Sequence, residues 1–462
     1  MNFSLNYRSD QKISISDNAV DDMSMTFKPK KHLQFSSLRK VLTEQLESIM
    51  DHRKQAQCTY SIHDTMMSAF ACMYFQDPSL LHFQQRLEKK YQRNNLKTIF
   101  RVKHTPKDAQ IRDIIDEIPS ETLAPVFKVY YERLRRHKYL EDYAILPNTV
   151  MCVIDGTQYH SSKSVYCDCC LHKTHRNGDK TYSHAVLQGA IMHPDKKQVI
   201  PVMPEAIKNS DGDKKQDCES KAAKRFVKNL RSAHPRQKFL LAGDGLMSHQ
   251  PLIEAALEQK MSYLFVAKPG DHKYMYEWLN DFPTLPSIDY IDEKKRTHRF
   301  SWQNEVPLHG EANAIKVNYV EYQQINSVGK VTFKNSWVSD IEITKDNVIR
   351  MAKAGRCRWK IENECFNTLK NQGYNIEHNY GHGKKNLSYN MYLLTLLAFF
   401  FHQIFELTDD MYQACRKYYG SKRQLWENFR STIRLLVVES WEQLMDMLLN
   451  EDDYEVTAVK KS

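Results

Sequence analysis

The chain has 462 residues, of which 41% are hydrophobic and 26% are charged, a composition that excludes disordered and fibrous classes. Sixty-six Lys and Arg against 56 Asp and Glu give a formal net charge of +10, which favours an anionic partner such as nucleic acid. The first residues lack a signal-peptide pattern, and the ten cysteines are scattered apart from one cluster. We therefore expect reduced thiols in a cytoplasmic protein.

The N-terminal third is predicted to be helical. Residues 1–30 form a polar segment, and residues 31–146 form a helical domain rich in Lys and Arg. Leu38, Leu42 and Leu46 recur at the spacing of one helix face. We expect this domain to bind DNA, although it contains no clear helix-turn-helix pattern.

From Thr149 onward the pattern changes to mixed α/β. Residues 147–270 are predicted to form three strands followed by helix, strand, helix and strand. These elements are predicted at Val150–Asp155, Tyr182–His193, Val199–Met203, Asp217–Ser232, Lys238–Gly243, Leu252–Gln259 and Tyr263–Ala267. This order predicts a mixed sheet flanked by helices.

The remaining sequence predicts three further regions. Residues 271–335 form a β-rich insertion, residues 336–410 return to helix and complete the core, and residues 411–462 form a helical tail. The apolar run within residues 389–407 is too short for a bilayer, so a buried core helix is predicted and no membrane partner is expected.

Three acidic residues occupy positions that suit metal ligands. Asp155 and Asp244 each follow an apolar strand, and Glu362 lies in a helical stretch. Carboxylates at the ends of buried strands and on a nearby helix can hold two divalent ions, which can cut and rejoin a phosphodiester backbone. Taken singly, an Asp-Gly at a strand end is usually a turn residue.

The blocks around these acids resemble those of the DDE transposases of bacterial insertion sequences. Val153–Thr157 is similar to their first block, Leu241–Gly245 to their second, and Arg358–Glu362 to their third. The resemblance covers roughly residues 105–405. It implies a ribonuclease-H-like core with a β-strand insertion between the second and third blocks, where the β-rich segment lies.

The third block departs from the family pattern at two positions. The family's tyrosine would fall on Gly355, and its lysine on Leu369, one residue before Lys370. Glu364 competes with Glu362 as the third ligand, but the Trp-x-Ile-Glu context and the helical face shared with Arg358 favour Glu362.

Five basic residues are candidate DNA contacts. Arg358 and Lys370 belong to the third block, and Lys268 ends a strand beside the predicted site. Lys384 and Lys385 lie in a glycine-containing loop that could approach phosphates, although a merely solvated loop is nearly as plausible. Trp302 and Trp337 could stack on a flipped base, but core positions are favoured for both.

The cysteine cluster is a weaker candidate for a metal site. Cys167 and Cys170 form a Cys-x-x-Cys pair, and His172 and His175 follow closely. Zinc ligand pairs are usually separated by a dozen residues or so, and these four can hardly surround one ion. A zinc site on Cys167 and Cys170 therefore stays open beside a hairpin loop with free thiols.

The resemblance implies a transposase that cleaves DNA at element ends and joins it to target DNA. Asp155, Asp244 and Glu362 would hold two Mg²⁺ or Mn²⁺ ions, and the protein would act as a homodimer on double-stranded DNA, associated with the bacterial nucleoid. Two alternatives stay open: a transposase-derived DNA-binding protein without catalysis, and another ribonuclease-H-like nuclease such as a resolvase.

Overall fold

The computed structural model describes residues 2–7, 30–53, 58–87, 94–209, 217–378 and 380–459. The chain divides into two compact units. Unit 1 combines Met1–Arg133 with Leu369–Ser462, and unit 2 is the continuous stretch Leu134–Thr368. Unit 1 is therefore built from both ends of the chain, and unit 2 from its middle.

Helices and strands cover most of the described residues. The helices are α1 (Phe35–Glu47), α2 (Ile62–Tyr74), α3 (Leu80–Leu87), α4 (Asn95–Ile99), α5 (Asp108–Asp116), α6 (Ala124–Arg136), α7 (Glu219–Ala233), α8 (Gln250–Glu258), α9 (Lys273–Asn280), α10 (Val348–Arg356), α11 (Asn367–Asn371), α12 (Leu387–Thr408), α13 (Asp410–Tyr418), α14 (Lys422–Leu435) and α15 (Trp441–Leu449). The strands are β1 (Asn2–Tyr7), β2 (Ala144–Leu146), β3 (Thr149–Ser162), β4 (Leu171–Thr174), β5 (Lys180–Met192), β6 (Ile200–Pro201), β7 (Glu205–Ile207), β8 (Lys238–Gly243), β9 (Ser262–Val266), β10 (Ser287–Ile291), β11 (Thr297–Pro307), β12 (Lys316–Ile325), β13 (Val331–Ser339) and β14 (Tyr454–Val459).

Unit 1 is mainly helical. The predicted stripe of Leu38, Leu42 and Leu46 is buried along α1. α2 begins after Ser61, whose side chain accepts the backbone N–H of Asp64 and so satisfies an amide that the helix itself leaves unpaired. β1 and β14 form a two-stranded antiparallel sheet. β1 lies within the polar segment predicted at residues 1–30, and most of that segment falls outside the described residues.

An aromatic cluster fills the core of unit 1. Phe401 of α12 contacts Phe70 and Tyr74 of α2, with ring centroids 5.1 and 5.9 Å apart. Trp441 of α15 contacts Tyr74 at 5.2 Å. Each such pair contributes about 0.5–1.5 kcal/mol beyond the burial of its surface. The C-terminal helices therefore share one core with the N-terminal helices.

This division differs from the predicted domain boundaries. The sequence assigns residues 336–410 to the core and 411–462 to a separate tail, whereas everything from Leu369 onward belongs to unit 1. The Asn95 side chain of α4, for example, donates to the carbonyls of Ile433 and Leu436 at 2.7 and 2.9 Å. Periodicity reveals which helix face is apolar, but not which partner covers it.

α12 is the apolar helix that the sequence predicts to be buried. Among the described residues it is the one helix whose length and composition would allow it to cross a membrane. However, 89% of its most apolar window is buried inside the protein. The prediction of a buried core helix is confirmed.

Unit 2 is organised around a twelve-stranded mixed sheet. β3 pairs with β5 antiparallel and with β8 parallel, and β8 pairs with β9 parallel. Parallel neighbours need crossover connections, which α7 and α8 supply. β6 and β7 pair with β5 on its other side. This order, three antiparallel strands followed by two parallel ones, confirms the predicted mixed α/β class and the ribonuclease-H-like core.

The β-rich insertion extends this same sheet. β10, β11, β12 and β13 form an antiparallel meander, and β13 pairs with β9 at the edge of the core. The insertion also contains α9, which its sequence did not predict. The helical stretch after it, from α10 onward, returns to the sheet and carries the third sequence block.

Candidate active site

Two of the predicted acids lie side by side on neighbouring strands, Asp155 within β3 and Asp244 directly after β8. The parallel ladder of β3 and β8 ends at the pair Val153 and Ala242. Asp155 and Asp244 each stand two residues beyond that pair, so they occupy equivalent positions. Neighbouring strands lie about 4.8 Å apart, and residues two apart share a face of the sheet. The two carboxylates are therefore neighbours at the edge where the buried part of β3 ends.

The environment of Asp155 favours its protonated form. Burial, together with the charges of Asp244 and Glu362, raises the pKa of Asp155 to about 6, against the opposing effect of Arg358. Its oxygens accept hydrogen bonds from the Gly156 amide at 2.9 Å and from Arg358 Nη1 at 3.1 Å. Asp244 accepts from the amide of Leu246 at 3.0 Å, which fixes the turn after β8. Crowded carboxylates of this kind are typical of sites that bind cations.

The third block joins this site through Arg358. Its guanidinium donates from Nη1 to Asp155 and from Nη2 to Glu362, the latter at 2.8 Å. The charge of Glu362 also raises the pKa of Asp155. Arg358 thus links Glu362 to Asp155.

The backbone around Glu362 is not a regular helix. A 3₁₀ turn covers Cys357–Trp359, and a π-helical turn covers Ile361–Phe366. π-helical turns are rare and frequently occur at functional sites. Lys360 anchors this segment, because its Nζ donates to the carbonyls of His193, Pro194 and Lys196 at 2.6–2.9 Å. This clamp ties the third block to the loop that follows β5.

The departure at Gly355 has a steric reason. The Trp337 side chain, which is 1% exposed, lies so close to Gly355 that a Cβ there would overlap the indole ring. The family's tyrosine would not fit at this position. Trp337 is therefore a core residue, as the sequence favoured, and Trp302 is half-buried in β11.

Glu219 is a fourth carboxylate that sequence reasoning missed. It lies in the first turn of α7, a position where acids are common because they interact favourably with the helix dipole. Its carboxylate sits directly against Gly156, so that a side chain at Gly156 would overlap it. Burial, followed by the charges of Asp155 and Asp244, raises the pKa of Glu219. In the sequence, the glycine directly after Asp155 is the signal that another group packs closely against this part of β3.

Lys268 lies beside the site, as predicted from its place after β9. Its alkyl chain lies against Gly245, the residue after Asp244, and would be 3.4 Å from a Cβ at that position. Lys268 itself is exposed. Asp271 approaches the same glycine. A lysine in this position can place its ammonium group near a phosphate held at Asp244.

The other predicted DNA contacts lie in unit 1. Lys370 forms an ion pair with Glu377 at 2.7 Å. Lys385 Nζ pairs with Glu117, also at 2.7 Å, and the side chain of Lys384 is exposed. Lys370 and Lys385 therefore each have an acidic partner within unit 1.

The loop before α12 is held by Asp116. Both of its carboxylate oxygens accept backbone N–H groups, from residues 384–387, at 2.9–3.0 Å. Burial raises the pKa of Asp116, but these four donors outweigh it and the pKa is lowered overall. The amides that could bind a phosphate at this helix N-terminus are thus already occupied.

The donor set at the strand ends fits a hard divalent cation. Asp155, Asp244, Glu362 and Glu219 offer carboxylate oxygens, the ligands that Mg²⁺ and Mn²⁺ prefer. The charges of Asp155 and Asp244 raise the pKa of Glu219, and those of Asp244 and Glu362 raise the pKa of Asp155.

Comparisons with known proteins give a distant likeness to solved structures and nothing closer in sequence. No protein-family model matches the sequence, and no curated protein is similar to it at a significant level. Among solved structures, the chain is similar to the piggyBac transposase in a synaptic complex with hairpin DNA, at 13% sequence identity and a TM-score of 0.35. The match covers 88% of this chain and 83% of that chain. At this similarity the chemistry of the site rests on its own residues.

Proposed function

We propose that the protein is a DDE transposase, which cleaves DNA at the ends of an insertion sequence and joins those ends to target DNA. The observation that carries the proposal is the meeting of three sequence-distant acids in unit 2. Asp155 and Asp244 stand at equivalent positions on neighbouring parallel strands, and Arg358 links Asp155 to Glu362.

Asp155, Asp244 and Glu362 would hold two Mg²⁺ or Mn²⁺ ions, with Glu219 as an additional carboxylate ligand. Such ions, when bound, stabilise charge on the attacking and leaving oxygens of a phosphodiester. The role of the protein is to fix these ligands on rigid elements. The paired strands β3 and β8 fix Asp155 and Asp244, and the Lys360 clamp fixes the third block.

Basic and aromatic groups around the acids suit a DNA substrate. Arg358 contacts Asp155, and Lys268 lies against Gly245, the residue after Asp244, so both could neutralise backbone phosphates. Trp359, adjacent to Arg358, is 50% exposed, and its indole offers a face on which an unpaired base could stack. The net charge of +10 has the sign that a polyanionic partner requires.

The proposed partner is double-stranded DNA, both as element ends and as target. Two ends must be processed together, so we propose a homodimer on DNA, with one set of carboxylates for each end. A transposase of a bacterial insertion sequence would act in the cytoplasm at the nucleoid.

The decisive experiment compares the wild type with Asp155→Ala and Asp244→Ala. Each purified protein is incubated with a labelled duplex that carries the inverted repeats flanking its coding region, in Mg²⁺ and in EDTA. Loss of one ligand should slow nicking at least about 1,000-fold, equivalent to about 4 kcal/mol, because charge on the reacting oxygens is no longer stabilised. DNA affinity, measured by gel shift, should change less than about threefold.

Nicking by either variant at the wild-type rate would contradict the proposal. A wild-type protein that binds the repeats but never cuts them would instead be a transposase-derived DNA-binding protein. Cleavage of branched junctions without preference for the repeats would indicate a resolvase-like nuclease.

The third ligand is tested by a matched pair of substitutions, Glu362→Gln and Glu364→Gln. Both remove one carboxylate from the same turn. Only Glu362 pairs with Arg358, so only its replacement should abolish nicking. The opposite result would assign the role to Glu364.

A further inference from the structure

Three potential zinc ligands converge at the base of the hairpin formed by β4 and β5. Cys167 and Cys170 lie in the loop between β3 and β4, and His184 lies on β5. The two Sγ atoms are 3.9 Å apart, and His184 Nε2 lies 3.5 Å from one and 3.4 Å from the other. All three residues belong to unit 2.

These separations match those required by one tetrahedral ion. With Zn–S bonds of about 2.3 Å and Zn–N bonds of about 2.0–2.1 Å, tetrahedral angles place two sulfurs about 3.8 Å apart and a sulfur and a nitrogen about 3.6 Å apart. The three observed distances fall within about 0.2 Å of these values. Both sulfurs and the imidazole nitrogen therefore face a common point.

The surroundings are those of a built site. Cys170 is 3% exposed and His184 is 8% exposed. Tyr159 stacks on the His184 ring, with centroids 5.9 Å apart and planes 14° from parallel. The Cys170 amide donates to the Cys167 carbonyl at 3.1 Å, which folds the Cys-x-x-Cys segment into a turn that aims both thiols the same way.

We propose that Cys167, Cys170 and His184 bind a structural zinc ion. Its fourth position is taken by water or by a further side chain. The ion ties the loop after β3 to β5. These two strands also run through the carboxylate site, since Asp155 of β3 pairs with Gln188 of β5. The site is independent of the proposed nuclease chemistry.

The histidines that the sequence placed beside the cysteines are not the ligands. His172 is exposed on β4, and His175 Nε2 bonds the Thr181 hydroxyl at 2.7 Å. His184 was not a candidate from sequence, because it lies on β5, whereas the Cys-x-x-Cys pair lies in the loop before β4. The strand pairing of β4 with β5 brings it there.

The first test measures metal content in the full-length protein. Wild-type protein purified without chelators should carry about one zinc ion per chain by mass spectrometry, and Cys167→Ser, Cys170→Ser and His184→Asn should each lose it. Cys169→Ser, in the same loop, and His172→Asn should retain it. Cobalt substitution should give a thiolate charge-transfer band in the wild type and a weaker band in either cysteine variant.

A second measurement needs no substitution, so it decides the question even if the variants do not fold. Bound zinc should protect Cys167 and Cys170 from alkylation by N-ethylmaleimide, and EDTA should remove this protection, whereas exposed Cys218 should react equally in both states. Reduced protein without zinc, unchanged zinc in the three variants, or a Cys167–Cys170 disulfide in protein purified under reducing conditions would each overturn the proposal.

Discussion

The carboxylates of the candidate site repel one another. Asp155, Asp244, Glu362 and Glu219 share a partly buried edge of the sheet, and Arg358 is the cation that contacts two of them. The rise in the pKa of Asp155 and of Glu219 means that ionisation of these acids opposes folding. Sites that must bind cations often carry such a cost.

This cost predicts that Asp155→Asn stabilises the metal-free protein. The pKa of Asp155 is about 6 in the fold against an ordinary value of 3.8. Because the folded state holds the proton more tightly, stability from this group is greatest below about pH 4 and falls as pH rises to about 6. At pH 7.5 in EDTA, the substitution should raise the free energy of unfolding by up to about 3 kcal/mol, measured by urea denaturation. Glu219→Gln should act in the same direction.

The gain should shrink as the pH is lowered from 7 to 4. Asp289→Asn is the control, since Asp289 is bonded to Arg299 on the neighbouring strand and should give no gain. Saturating Mn²⁺ should reverse the ranking, because the wild type would then gain the binding energy that Asp155→Asn loses. Equal stability of wild type and variant across this range would contradict the electrostatic interpretation.

At the scale of elements, the third block is a helix made irregular by its packing. α10 packs closely against Trp337 at Gly355. The chain then passes through a 3₁₀ turn and a π-helical turn before α11. The regular helix assumed from sequence predicts the Arg358–Glu362 pair correctly. It does not predict the π-helical turn at Ile361–Phe366.

The close packing predicts that Gly355→Ala is destabilising, although alanine is normally the better helix former. Its Cβ would overlap the Trp337 ring. Overpacking of this kind costs about 1–3 kcal/mol, outweighing a gain of up to about 1 kcal/mol in helix propensity. Thermal unfolding of the variant should therefore begin at a lower temperature than that of the wild type.

Two further variants make this test specific. Gly270→Ala is the matched control, because nothing lies within 4 Å of a Cβ at Gly270, and it should be close to neutral. Adding Trp337→Leu to Gly355→Ala should recover part of the loss, so that the two effects are not additive. Strict additivity would show that Trp337 is not the cause.

Sequence patterns predicted which segments of the core form strands better than they predicted where those strands end. The apolar run before Asp155 predicts the buried half of β3, but β3 continues to Ser162. Beyond Asp155 the strand is partly exposed and is held by pairing with β5. Such a half-exposed strand lacks the apolar run that marks a buried one. Glu219 escaped notice for a related reason, since it lies in α7 and its neighbour Gly156 lies on β3.

At the scale of the whole molecule, the two units differ in how the chain builds them. Unit 2 is continuous, whereas unit 1 needs two segments separated by all of unit 2. The α2 face that carries Phe70 and Tyr74 is covered by Phe401 and Trp441 from the distant segment. Each segment alone would leave this apolar surface exposed to water.

This arrangement predicts different behaviour for two fragments. Residues 134–368 should fold alone, unfold cooperatively and bind Mn²⁺, because the sheet and all four carboxylates lie within them. Residues 1–133 should stay largely unfolded until residues 369–462 are added. Circular dichroism and NMR spectra of the separate and mixed fragments measure this. A folded 1–133 fragment would contradict the shared aromatic core.

The sequence by itself determined the α/β class of unit 2, the buried strand segments that precede Asp155 and Asp244, and the buried character of α12, because these depend on local runs of apolar residues. Tertiary structure decided which helices join in unit 1, that Glu219 lies against Gly156, and that His184 faces Cys167 and Cys170. These are contacts between residues far apart in the chain. Periodicity records the face that a residue occupies, whereas its neighbour depends on the pairing and packing of whole elements.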